Sequence, residues 1–184
     1  SRWIHAPAAI WSASSDTIFT QGGRRAAPRL AVTESVLSDR KSNKADEAAR
    51  LARLYFTPAA AGEPHFNCAE STLMATTQAL GIRSEAVPRI ATAFGGGMAR
   101  QGEACGAITG SLMCFGLARG RNDKSEPREP SNDPSLALMD RFRARFGALT
   151  CRELTGCDIT NPEAYAAFVA AGGSRRCAEY LDLA

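Results

Sequence analysis

The sequence predicts an all-α fold, a single-domain helical bundle carrying an irregular N-terminal extension. Three observations predict it. Apolar residues recur at helical spacing in several separate stretches, strand-like alternation is scarce, and glycine, asparagine and proline punctuate the stretches where helices would start and stop. A chain of 184 residues with 45% hydrophobic content has enough core for one domain without disulfide support.

Residues 1–42 are rich in Ser, Ala, Arg and Gly and show little periodicity, so they are expected to form the extension, disordered or laid across a surface. Both tryptophans lie there; if Trp3, Ile4, Ile10 and Trp11 are ordered, they are expected to pack on a groove or a second subunit, making the arm a candidate for homodimer exchange. The folded domain is expected over 43–184. Asn43 caps a first helix whose Ala48, Leu51, Ala52, Leu54 and Tyr55 share faces, and Gly62-Glu63-Pro64 ends it. A second helix starts near Asn67 and stops at Gly81. A third runs from Ser84 to Phe94, with Pro88 in its first turn.

The Gly95-Gly96-Gly97 loop follows, then an apolar run from Gly106 to Leu117. Gly106 and Gly110, four apart, allow close approach of a helix or a cofactor. Asn122 to Pro134, with three prolines, reads as an exposed loop. Leu136, Met139, Phe142, Arg143 and Phe146 form an amphipathic helix ending at Gly147, followed by a short element from Cys151 to Gly156. Pro162 opens a helix through Ala171, and a last one carries Cys177 and Tyr180.

The chemistry is expected from the six cysteines. Cys105 stands between a glycine loop and a helix start, where the dipole favours a thiolate, and Cys68 lies just inside another helix start. Cys114, among Leu112, Met113 and Phe115, reads as a core residue, whereas Cys157 beside Asp158 is equally an auxiliary ligand, a resolving thiol or neither. Glu70 and Glu103 neighbour cysteines and are candidate hydrogen-bond acceptors or proton donors; Arg100 and Arg152 could offset negative charge, and His65 reads as a surface residue. Nucleic acid is excluded as a partner, because the charge of +3 is small and no basic helix interleaved with aromatics occurs. No stretch is long and apolar enough to span a membrane, the patch from Trp3 to Trp11 makes a poor signal peptide, and a cytoplasmic location is expected. The glycine triplet lacks the Lys-Ser/Thr ending of a phosphate loop.

From Asn43 onward the chain resembles the family of redox proteins named for a C…GCAxxG…C…C pattern, with a domain also similar to that of split-Soret cytochromes. The matching blocks are Asn67-Cys68-Ala69-Glu70, Phe94 to Met98, Gly102 to Gly110, Phe146-Gly147, Cys151 to Gly156 and Cys177. The chain departs from the pattern in Ala104, where the family has Gly before the central cysteine, and in the additional Cys114 and Cys157. The resemblance implies that Cys68, Cys105, Cys151 and Cys177 are the signature cysteines, with a redox or metal role. Four thiolates from separate helices would suit an iron-sulfur cluster or tetrahedral zinc, and glycine amides near Cys105 favour the cluster. Covalent haem is not expected, since no Cys-x-x-Cys-His occurs. The leading expectation is an iron-sulfur centre for electron transfer or redox sensing, with an unidentified redox partner. The alternatives are thiol–disulfide exchange, a zinc or copper module without turnover, and cysteines of purely structural role.

Overall fold

The computed structural model describes residues 34–60 and 63–184, and between 34 and 42 its backbone only. The N-terminal arm expected to join two subunits, with Trp3, Ile4, Ile10 and Trp11, lies outside the described residues. Among the described residues the architecture is all-α, with α-helices, one 3₁₀ helix and no strand. None of the helices is long and apolar enough to cross a membrane.

Helix α1 spans Glu34–Phe56, beginning earlier than the predicted Asn43 because nothing between the two positions breaks a helix. It stops at Phe56, since Thr57 precedes Pro58 and a residue before proline avoids helical backbone. Its Leu51 and Ala52 are buried, whereas Leu54, predicted to share their face, is 62% exposed. Helix α2, Cys68–Leu80, starts with a capping box. The Asn67 side chain accepts from the N–H groups of Ala69 and Glu70, and the Asn67 N–H donates to Glu70 Oε2 at 2.9 Å. Gly81, at φ 73°, closes it.

The third predicted helix is shorter and tighter: a 3₁₀ helix, Arg89–Phe94, preceded by turns. Pro88 keeps Val87 out of the helical region, which rules out the predicted start at Ser84. Helix α3, Gly106–Arg119, packs along α2, and an added Cβ at Gly110 would stand 2.6 Å from the Ala69 carbonyl oxygen. Helix α4, Glu129–Phe146, takes in part of the predicted loop. Pro130 falls in its first turn, where proline is tolerated, and Pro134 lies within the helix. Its inward residues are Leu138 and Phe142; the predicted Leu136 is 60% exposed.

Three shorter helices complete the chain: α5, Cys151–Thr155; α6, Pro162–Ala170; and α7, Gly173–Leu183. Leu51, Ile108, Phe142, Leu154, Tyr180 and Leu181 form the main core with Cys105, so α1, α3, α4, α5 and α7 converge where that thiol lies. Burying such side chains stabilises by about 1.5–3 kcal/mol each.

Candidate functional site

Four cysteines from four places in the chain line one small cavity. Cys68 is the first residue of α2, Cys105 the N-cap of α3, Cys151 the first residue of α5, and Cys177 lies one turn into α7. Ala107, Leu154, Thr155 and Tyr180 complete the wall, and the enclosed volume is about 20 Å³, the space of a single water. No carboxylate or imidazole lines it. All four cysteines are free thiols. Among the described residues, no three His, Cys, Asp or Glu side chains already stand at metal-coordinating spacing.

Backbone pairing sets two of the positions. Segment 102–105 runs antiparallel to 149–152 through a single bridge between Ala104 and Thr150. The Cys105 N–H donates to the Leu149 oxygen at 2.9 Å, and the Cys151 N–H donates to the Glu103 oxygen at 2.7 Å. Cys105 and Cys151 are thereby brought together although far apart in sequence. The packing around Cys151 is tight: an added Cβ at Gly97 would stand 2.7 Å from Cys151 Cβ, so only glycine fits there.

The loop before Cys105 is a left-handed turn. Gly96, Gly97, Met98, Ala99 and Arg100 have consecutive φ values of 61°, 66°, 60°, 51° and 62°. For the three side-chain-bearing residues this costs about 1–2 kcal/mol each. Long-range ties hold the turn: the Gly102 N–H donates to Gly96 O, the Glu103 N–H to Gly97 O, and the Arg100 guanidinium lies 4.2 Å from the centre of the Tyr165 ring. The turn aims the Gly96 amide at Cys68.

Burial dominates the electrostatics. It pushes the Cys68 thiol up against the N–H groups of Gly96, Ala69 and Gly106, which donate to its sulfur and pull the other way. It likewise raises Cys105, with Cys68 as the next contributor, and pushes Cys151 up to about 11 and Cys177 up to about 12. The dipole effect expected at the helix starts is therefore outweighed by desolvation. Tyr180, raised to about 12 by burial and then by Cys177, donates its hydroxyl to the Leu154 oxygen at 2.8 Å and braces α7 against α5.

The remaining sequence candidates fall elsewhere. Cys114 is 1% exposed in a second core cluster with Ala69, Leu73 and Ala91, as its apolar neighbours predicted. Cys157 is buried beside Cys151 without lining the cavity. Glu70 is a cap and not a partner of the thiols: its oxygens accept from the Asn67 N–H and, at 2.6 Å, from the Thr92 hydroxyl. Glu103 contributes backbone only, its side chain being exposed. Gly106 donates to Cys68, and an added Cβ there would collide with that sulfur. His65 is exposed against Phe56. Arg152 is exposed and pairs with Asp158 at 3.3 Å. Tyr180, Leu154 and the Gly96 amide were not foreseen as parts of the site. A buried tyrosine three residues after Cys177 was the one available signal, because that spacing shares a helix face.

Residues 66–184 match the model of one protein family, described as "Putative redox-active protein (C_GCAxxG_C_C)". No curated protein and no solved structure matches the chain.

Proposed function

This chain belongs to the C_GCAxxG_C_C family of redox-active proteins, and on that premise we propose that Cys68, Cys105, Cys151 and Cys177 hold a thiolate-ligated metal centre, an iron-sulfur cluster, for electron transfer or redox sensing. The observation that carries the proposal is the convergence of these four thiols, and no other ionisable group but Tyr180, on one cavity; its 20 Å³ has room for a single ion, so a cluster would require the cysteine side chains to turn apart. An all-sulfur donor set fits a soft or borderline metal and suits neither calcium nor magnesium. Zinc accepts the same donors but has no redox chemistry, which sets it behind iron-sulfur in a redox family. When bound, an iron-sulfur centre supplies one-electron transfer.

The protein's own contribution is legible in the geometry. The Gly96, Ala69 and Gly106 amides donate to Cys68 and favour its deprotonated form, the form in which cysteine ligates. The apolar wall of Ala107 and Leu154 excludes water and lowers the local dielectric, which sets the reduction potential. Tyr180 holds α7, and hence Cys177, at a fixed distance from α5. Thiol–disulfide exchange is less favoured, since the sequence has no Cys-x-x-Cys pair.

The test is the iron, acid-labile sulfide and zinc content, with the visible spectrum, of protein purified without oxygen. Matched iron and sulfide in wild type, lost in Cys105→Ser and kept in Cys114→Ser, is the expected result. Stoichiometric zinc would assign the site to the module without turnover. Thiols that stay fully titratable after attempted reconstitution would overturn ligation and return the site to disulfide chemistry.

A further inference from the structure

We propose that a second cavity, lined by none of the cysteines, binds a long-chain carboxylate. This cavity encloses about 540 Å³ between α1, α2, α3, α4 and α7, within the size range of small-ligand sites. Ala52, Ala79, Leu138 and Leu181 form its buried apolar floor, and Lys44 and Arg141 stand exposed at its mouth.

Charge selects the head group. Asp182, the acidic side chain in the lining, is held by a two-pronged pair with Arg53. Among the described residues, no carboxylate pairs with Lys44 or Arg141. Among the described residues, the lining thus presents two exposed cations beside an apolar floor, an arrangement complementary to one carboxylate on an unbranched chain. A neutral apolar ligand would leave the cations unused, and a polar anion would leave the floor uncovered.

Calorimetric titration of the full chain with hexadecanoate, below the concentration at which it forms micelles, tests the proposal. Saturable binding of one molecule per chain is expected, with octanoate at least about tenfold weaker because fewer methylenes leave water. The methyl ester of hexadecanoate is expected to bind about fivefold more weakly than the acid. The double variant Lys44→Gln, Arg141→Gln should weaken the acid by a similar factor and leave the ester unchanged. Ala48→Phe, which places a ring in the groove, should abolish binding of both. The charge variant alters exposed side chains only, so it remains decisive if the filled variant fails to fold. Absence of saturable binding, or equal binding of acid and ester by wild type and the charge variant, would overturn the proposal.

Discussion

Replacing Gly106 by alanine should destabilise the fold at the cysteine cavity, and the structure sets the size of the effect. The new Cβ would collide with Cys68 Sγ and stand 2.9 Å from the Ala69 nitrogen and 3.2 Å from the Phe94 oxygen. The sulfur can rotate away, at the loss of its amide donors, worth about 1 kcal/mol. The Ala69 nitrogen and the Phe94 oxygen are backbone and yield only if α2 and the 3₁₀ helix shift, an overpacking cost of about 1–3 kcal/mol. Removing a helical glycine returns at most about 1 kcal/mol. The net loss is about 1–4 kcal/mol, a fall in Tm on the order of 2–15 °C for a domain of this size. Gly116, in the same helix, has nothing within 4 Å of an added Cβ, so Gly116→Ala should hold or raise stability by up to about 1 kcal/mol. Thermal unfolding of both variants by far-ultraviolet circular dichroism compares them directly. Equal midpoints for the two alanines would refute the placement of Cys68 against α3.

Three further outcomes are expected. Tyr180→Phe leaves the buried Leu154 carbonyl without its donor, and the urea midpoint should fall by the equivalent of about 1–3 kcal/mol with an unchanged slope; no change would mean that the bond does not form. Asn67→Ala removes the cap of α2 and a 3.0 Å bond to the Thr92 oxygen, for a loss of about 1–2 kcal/mol in the same measurement. In metal-free, fully reduced protein the folded values of about 11 for Cys151 and about 12 for Cys177 lie above the ordinary 9.0, so the unfolded chain loses its protons first. The associated stability is whole below pH 9.0 and declines as pH rises through the folded values, and Cys151→Ser should reduce the decline; stability that is flat or rising with alkaline pH would contradict the burial of these thiols.

Helix existence was legible almost throughout, because capping and periodicity act over a few residues. Asn67 with Glu70, and Gly81 and Gly147 at helix ends, behave as their local chemistry requires. Proline misled where its position within a helix mattered: Pro130 opens α4 and Pro134 is carried inside it, while Pro88 shortens the segment before Phe94 to a 3₁₀ helix. Glu70 drew attention as a neighbour of Cys68, yet its carboxylate is consumed by the cap and Thr92, a contact made across 22 residues. Leu54 and Leu136 were assigned inward from spacing alone, and both face solvent because the neighbouring helices cover other faces.

The sequence by itself determined an all-α chain and singled out the four signature cysteines, since helical periodicity is local and the cysteine blocks stand in the family's order. Tertiary structure alone decided that the four thiols share one cavity, that Cys157 stays outside it, and that burial rather than the helix dipole governs the ionisation of Cys105. The pairing of 102–105 with 149–152, the left-handed turn at Gly96–Arg100 and the bond from Tyr180 to Leu154 join residues distant in the chain. Desolvation depends on everything packed around an atom, and no local pattern of residue types encodes it.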